Sequence, residues 1–237
     1  MQDRSHDGGV FASGKIKRDV VLSEVQWRTE NEMNRLAVIF PGIGYNFDRP
    51  LLHFAEKQAL HYGYEIRHVT YSGFDKKGMR GNAQKMKSAF QLAMEQTERQ
   101  LADVSWDKYE RIVFISKSIG TVAAAHYAER HGIAAVQILF TPFPETFEGA
   151  AIDQGLAFHA RTDPWMDDGE TVRAAEEAGV SMICYPEGNH SLETGDVIRD
   201  IDTLADVFRR TEDLYRELGM LQPTSHTGLR AFRPGTE

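Results

Sequence analysis

The stretch Arg111-Ile-Val-Phe-Ile-Ser-Lys-Ser-Ile-Gly-Thr121 constrains what this chain can fold into more than any other. Residues 112–115 are β-branched or aromatic without a break, the pattern of a strand buried on both faces. The alanine-rich run Val122-Ala-Ala-Ala-His-Tyr-Ala-Glu-Arg130 that follows reads as a helix. Between the two sits Ser118, with the small residues Ser116 and Gly120 two places to either side. A strand that passes directly into a helix must turn sharply, and only small neighbours let the two elements pack that closely. Such a turn pushes the central side-chain oxygen out past the end of the sheet. The pattern is usually G-x-S-x-G. Here Ser116 takes the place of the first glycine.

The rest of the chain supplies a sheet for that strand to join. Residues 36–40, 65–70, 135–140, 156–160 and 181–185 read as strands, and residues 49–62, 82–102, 168–179 and 195–218 as helices. The first of these helices is expected to bury Leu52, Phe54, Ala55 and Leu60. The last carries a stripe of Val197, Ile201, Leu204, Phe208, Tyr215 and Leu218. Ahead of them, residues 15–22 and 24–29 alternate as an antiparallel edge hairpin. Strands alternating with helices through short connections imply an α/β fold, a mostly parallel sheet with helices on both faces. Without a repeat or a linker, residues 1–237 are expected to form a single domain, with peripheral tails at 1–13 and 222–237.

Composition narrows the function classes. The formal charge of −8 leaves no unbalanced basic stripe, so no nucleic-acid partner is expected. No apolar run is long enough to span a bilayer, and the first nine residues are polar. The single cysteine, Cys184, has no intrachain partner and fits a reducing compartment. A cytoplasmic protein, monomeric or homodimeric and not bound to a membrane, is the expectation. Among the nine histidines, His53, His61 and His68 lack ligand spacing and no H-E-x-x-H occurs, so no metal is expected. Pro41-Gly-Ile-Gly-Tyr45 has the start of a dinucleotide loop, but Phe47 stands where the third glycine belongs.

In an open parallel sheet the carboxyl ends of the strands form the ligand crevice. Four loops fall there: Pro41-Gly-Ile-Gly-Tyr45, the turn at Ser118, His159-Ala-Arg-Thr-Asp-Pro-Trp165 with Asp163, and Glu187-Gly-Asn-His-Ser-Leu-Glu193 with His190. A serine, an aspartate and a histidine thus follow one another in chain order, each after a different strand. That order, with strand, turn and helix around the serine, is the one found in α/β-hydrolases.

The stretches FPGIGY, FISKSIGT, ARTDPW and GNHSLE resemble those of α/β-hydrolase-fold proteins, over residues 36–218. The resemblance is nearest to compact bacterial carboxylesterases and dienelactone hydrolases. It implies Ser118 as nucleophile, His190 as general base and acid, and Asp163 as the residue that orients the imidazole. It implies the backbone N–H groups of Ile119 and Ile43 as oxyanion donors, and it implies no cofactor. The interval 141–155 is too short for a helical cap, so the site is expected to be open and to take a small or exposed ester or thioester. A peptidase or acyltransferase on the same residues, and a slow or non-catalytic binding protein, are the alternatives.

Other residues near the same end of the sheet have rival readings. Ser116 could compete as nucleophile, but it lies on the strand and lacks the turn. Lys117 could form a Ser-Lys pair, yet adjacent residues on a turn point apart. Lys76, Lys77 and Arg80 follow a strand and could attract an anionic group. Tyr45, Phe143 and Trp165 could line the pocket. Asp167 and Asp168 are the next acids in line should Asp163 not serve.

Overall fold

The computed structural model describes residues 34–150 and 152–218. Within them the strands are β1 (Arg35–Phe40), β2 (Glu65–His68), β3 (Arg111–Lys117), β4 (Val136–Phe140), β5 (Gly155–Ala160) and β6 (Ser181–Tyr185). The helices α1 (Pro50–His61), α2 (Ala83–Leu101), α3 (Ile119–His131), α4 (Asp168–Glu177) and α5 (Val197–Glu217) alternate with them. The six strands make one all-parallel sheet in the order β2-β1-β3-β4-β5-β6. The strands and helices expected between residues 36 and 218 are all present. The expected edge hairpin at 15–22 and 24–29, and the tails at 1–13 and 222–237, lie outside the described residues.

Side-chain alternation along the buried strands divides the core in two. Ile39, Ile115, Phe140 and Phe158 face one way and pack with Leu51 and Leu52 of α1 and Val207 and Tyr215 of α5. Val38 and Phe114 face the other way, against Ala93 and Leu101 of α2 and Ala123 and Tyr127 of α3. Leu139 and Ala157 continue that second face toward Ala175 of α4. Helix α3 is buried nearly all round, and its alanines let it lie close to β3.

Two expectations about helix faces need correction. Phe54 and Leu60 of α1 are 49% and 47% exposed, and the face that α1 buries is Leu51, Leu52, Ala55 and Ala59. The spacing of those four follows the helical period, which Phe54 and Leu60 do not. In α5 the stripe from Leu204 to Tyr215 is packed as expected, whereas Val197 and Ile201 are 69% and 54% exposed. The stripe is continuous in sequence, but no described element covers the helix's first turn.

Between β4 and β5 the only helical element among the described residues is a single 3₁₀ turn, Pro144–Thr146. Among the described residues no cap of helices covers the carboxyl ends of the strands, in line with the short interval. No described helix is long and apolar enough to cross a membrane.

The junction of β3 and α3 is the tightest point of the sheet. A Cβ added at Gly120 would lie 2.5 Å from the Phe40 carbonyl oxygen and 2.6 Å from that of Pro41. Both are backbone atoms of the neighbouring strand and its exit, so neither can move aside alone. Gly120→Ala gains about 1 kcal/mol of helix propensity but incurs an overpacking cost of roughly 1–3 kcal/mol. We expect the clash to prevail, so urea unfolding should show Gly120→Ala with a lower midpoint than the parent.

Candidate active site

Ser118 sits between β3 and α3 with φ 57° and ψ −125°, a conformation that non-glycine residues seldom adopt. Its neighbours hold it there. Its N–H donates to the Phe140 carbonyl (3.0 Å), and its own carbonyl accepts from the N–H (2.8 Å) and the hydroxyl (2.6 Å) of Thr121. A Cβ at Gly42 would come within 3.2 Å of the Ser118 Cβ, so the loop after β1 passes directly against the turn. Ser116 is fully buried, and its hydroxyl donates to the Ile138 carbonyl of β4 (3.3 Å). The imidazole of His190 is bonded to Ser118 and not to Ser116.

His190 lies in the loop between β6 and α5. Asn189 shapes that loop, its Oδ1 accepting from the N–H groups of Ser191 (2.7 Å) and Glu193 (3.2 Å). Thr162 binds the loop to the one after β5, donating to the Gly188 carbonyl (3.0 Å) and accepting from the Gly188 N–H (2.9 Å). Thr141 donates to the carbonyl of His190 itself (3.2 Å). The imidazole consequently reaches two partners: Nδ1 lies 2.6 Å from Asp163 Oδ2, and Nε2 lies 2.7 Å from Ser118 Oγ. The other oxygen of Asp163 accepts from the Trp165 N–H (3.0 Å). An ionised carboxylate only accepts, so Nδ1 carries the proton and Nε2 is free to accept from the serine hydroxyl. A hydroxyl, an imidazole and a carboxylate linked in this way can deliver an oxygen nucleophile and return a proton.

Ser118 and His190 border a cavity of about 300 Å³ at the carboxyl ends of the strands, while Asp163 is buried behind the imidazole. Ile43 and Ile119 line it on either side of Ser118. Phe143 and Trp165 flank the imidazole, with ring centroids 5.5 and 5.6 Å from it. A larger, open groove of about 880 Å³ runs between α2 and α3, but none of these residues borders it.

No protein-family model matches the sequence, and no curated protein matches it either. Solved structures do match. A protein of Xanthomonas campestris pv. campestris placed in the alpha/beta hydrolase superfamily superposes with a TM-score of 0.50 and 14% identity, over 75% of this chain and 99% of that one. The esterase Pf2001 of Pyrococcus furiosus superposes with a TM-score of 0.53 and 12% identity, over 79% of this chain and 84% of that one. The fold is that of the α/β-hydrolases.

Within this α/β-hydrolase fold, Tyr45 and Lys76 border the cavity together with Phe143 and Trp165. Lys77 and Arg80 do not. Lys77 belongs to an exposed turn in which its N–H donates to Asp75 and its carbonyl accepts from Lys85. Asp167 caps α4 by accepting from the Glu170 N–H, and Asp168 is bonded to His159 and Arg161, so neither reaches His190. Among the described residues no cluster of three His, Cys, Asp or Glu side chains could hold a metal ion. Thr141, Thr162 and Asn189 hold the backbone of the His190 loop through hydrogen bonds and were not among the expected site residues. Of these only Asn189, a residue that favours turns just before His190, carried a local signal.

Lys117 was considered only as a partner for the serine. Its side chain is 1% exposed and lies with its ammonium 5.1 Å above the Tyr45 ring. Burial lowers its pKa from 10.5 to about 7, against the opposing pull of Asp163 and Glu193. His190 is lowered from 6.5 to about 4, first by burial and then by the Lys117 charge, while its bond to Asp163 works the other way. The ring is therefore a neutral base throughout the physiological range.

Both depressed values act on stability in the same direction. The unfolded chain takes up a proton on His190 at higher pH than the folded one does. The stability tied to that residue is complete above about pH 6.5 and is lost as pH falls toward 4. NMR of the imidazole should show a His190 midpoint near pH 4. Lys117→Met should raise it by removing the adjacent positive charge. A midpoint at or above 6.5 in the parent protein would contradict this electrostatic account.

Proposed function

We propose that this protein is a serine hydrolase that cleaves a carboxylic ester or thioester through an acyl-enzyme. The observation that carries the reading is the unbroken hydrogen-bonded chain from Ser118 through His190 to Asp163, presented at the mouth of a cavity. Ser118 Oγ attacks the substrate carbonyl as its proton passes to His190 Nε2. The resulting imidazolium is stabilised by Asp163 and returns the proton to the leaving group. Water, activated by the same imidazole, then releases the acyl group.

The negative charge that develops on the carbonyl oxygen needs donors in place before it forms. Ile119 is the first residue of α3, where backbone N–H groups have no helical acceptor and the helix dipole favours an anion. The Ile43 N–H, on the loop against Ser118, is the natural second donor. One such donor is typically worth about 3 kcal/mol in the transition state. Low basicity in His190 at rest is compatible with this chemistry, because the imidazolium forms only while a partner anion forms beside it. A partly apolar cavity that no described helix caps suits a small or exposed acyl group.

A fluorophosphonate should label the protein at Ser118, as read by peptide mass spectrometry. The label should vanish in Ser118→Ala and fall sharply in His190→Ala. A label on Ser116, or none, would remove the assignment. An activated acetate ester should give a burst of alcohol followed by steady turnover, whereas a mere binding protein would stop at the burst. Acyl transfer to an added amine or alcohol in place of water would redirect the reading to a transferase.

Asp163→Asn should leave the fold intact and lower kcat by about 10⁴ through loss of the correct tautomer. An effect below tenfold would mean that Asp163 does not orient His190.

A further inference from the structure

The cavity at Ser118 is electrostatically unlike the rest of the protein. The chain has 35 acidic residues against 27 basic ones, yet Lys76 and Lys117 border this cavity and, among the described residues, no carboxylate does. An adjoining cleft of about 600 Å³, also lined by the 42–45 loop, is bordered by Lys76 and Arg49 and again by no carboxylate among the described residues. The groove between α2 and α3 shows the opposite balance, with Glu95, Glu98, Glu145 and Glu148 against Arg99 and Arg130. The cationic character is thus local to the reacting centre.

Lys117 is the less expected of the two lysines. Its side chain is almost completely enclosed, and among the described residues it donates no hydrogen bond and enters no ion pair. The groups that face it are the Tyr45 ring from the loop after β1, Asp163 from the loop after β5, and His190 and Glu193 from the loop after β6. Asp163 is already engaged by His190 and Trp165, and Glu193 acts only at longer range. A buried ammonium without a close counterion is unfavourable, and an apolar side chain of equal length would fill the same space at less cost. Lys76 stands at the mouth, exposed, with its ammonium 3.9 Å from where a Cβ on Gly44 would be. It too has no hydrogen-bond partner among the described residues. Apolar walls from Met79, Met86 and Phe143 border the same space.

We propose that the substrate is an ester bearing a second, anionic group, which Lys76 and Lys117 bind while an apolar segment lies along the methionines. The inference rests on the hydrolase reading and adds a substrate class to it. Lys117 supplies the missing half of an ion pair that the substrate completes, and Lys76 draws the anion in from solvent. The lowered pKa of Lys117, about 7, supports this arrangement, because a bound anion favours the charged form and draws a proton in with it. Selectivity for an anionic ester should therefore decline as pH rises above 7, a range in which His190 is neutral throughout.

The test compares mono(4-nitrophenyl) adipate with the neutral 4-nitrophenyl hexanoate, ester chains of equal length. The parent protein should favour the adipate by roughly tenfold or more in kcat/KM, the range expected for a hydrogen bond to a charged group. Lys76→Met and Lys117→Met should each reduce that preference toward unity while still hydrolysing the hexanoate. Lys77→Ala with Arg80→Ala, outside the cavity, should leave it unchanged. Lys76 is exposed, so its variant decides the matter if Lys117→Met fails to fold. Equal rates on the two esters, or a preference that survives in Lys76→Met, would overturn the proposal while hexanoate turnover kept the hydrolase reading. Should neither ester turn over, binding of monomethyl adipate and methyl hexanoate to full-length Ser118→Ala, followed by NMR, decides. Tighter binding of the adipate that is lost in the Lys76→Met double variant supports the anion site, and equal binding removes it.

Discussion

The site depends on a backbone that is held where it would not rest by itself. A residue in the conformation of Ser118 typically stores about 1–3 kcal/mol of strain. That strain persists because its peptide groups are fixed on both sides: the N–H by Phe140 of β4 and the carbonyl twice by Thr121. Thr121 is itself braced, since its hydroxyl lies 2.7 Å from that of Thr146 in the short turn after β4. The geometry of Ser118 is thus set by the neighbouring strand and by the first turn of α3, both of which belong to the core. The alanines of α3 serve the same end, because a bulkier helix would stand farther from the sheet and relax the turn.

The other two members reach Ser118 because parallel strands deliver all their following loops to one end of the sheet. Delivery alone leaves an imidazole free to rotate. The loop backbone is pinned by polar side chains of modest size, Thr141 on the carbonyl of His190, Thr162 on Gly188 and Asn189 within the loop, and the ring is then turned by its own bonds to Asp163 and Ser118. Around them, the rings of Phe143 and Trp165 flank the imidazole, which is largely buried. Burial and the Lys117 charge both weaken the base, and Asp163 only partly offsets them. A neutral imidazole at rest is the form able to accept a proton, so the weakening helps availability even as it lowers affinity for the proton.

Much of this was legible in the sequence, for reasons that also mark where legibility stops. Buried parallel strands are continuous apolar runs, so residues 36–40 and 112–115 announced themselves, and the order of Ser118, Asp163 and His190 followed from which strand each comes after. Loop residues have no period. Nothing in Tyr71-Ser-Gly-Phe-Asp-Lys-Lys-Gly-Met-Arg80 distinguishes Lys76, which borders the cavity, from Lys77, which is tied into a turn with Asp75 and Lys85. Helix faces were read where the stripe is packed, at Leu204 to Tyr215, and misread where it runs on uncovered, at Val197 and Ile201. Periodicity reports which residues share a face, and only the tertiary structure decides whether anything lies against it.

The S-x-S-x-G form of the turn shows that its two small positions do different work. At Gly120 any Cβ meets backbone oxygens of Phe40 and Pro41 at about half an ångström less than the closest normal contact, so glycine is required by space alone. Ser116 is not among the residues with positive φ, and it is fully buried. What that position requires is small volume and, for a hydroxyl, an acceptor, and the Ile138 carbonyl of β4 provides one. A buried hydroxyl so satisfied costs little, whereas an unsatisfied one would cost roughly 1–3 kcal/mol. The same alternation that turns Ser116 toward β4 turns Lys117 to the opposite face, over Tyr45. One strand end thereby carries a serine bonded to β4, a buried cation and the hydroxyl that meets His190 in three successive residues, each directed by the pleat and the turn that follows it.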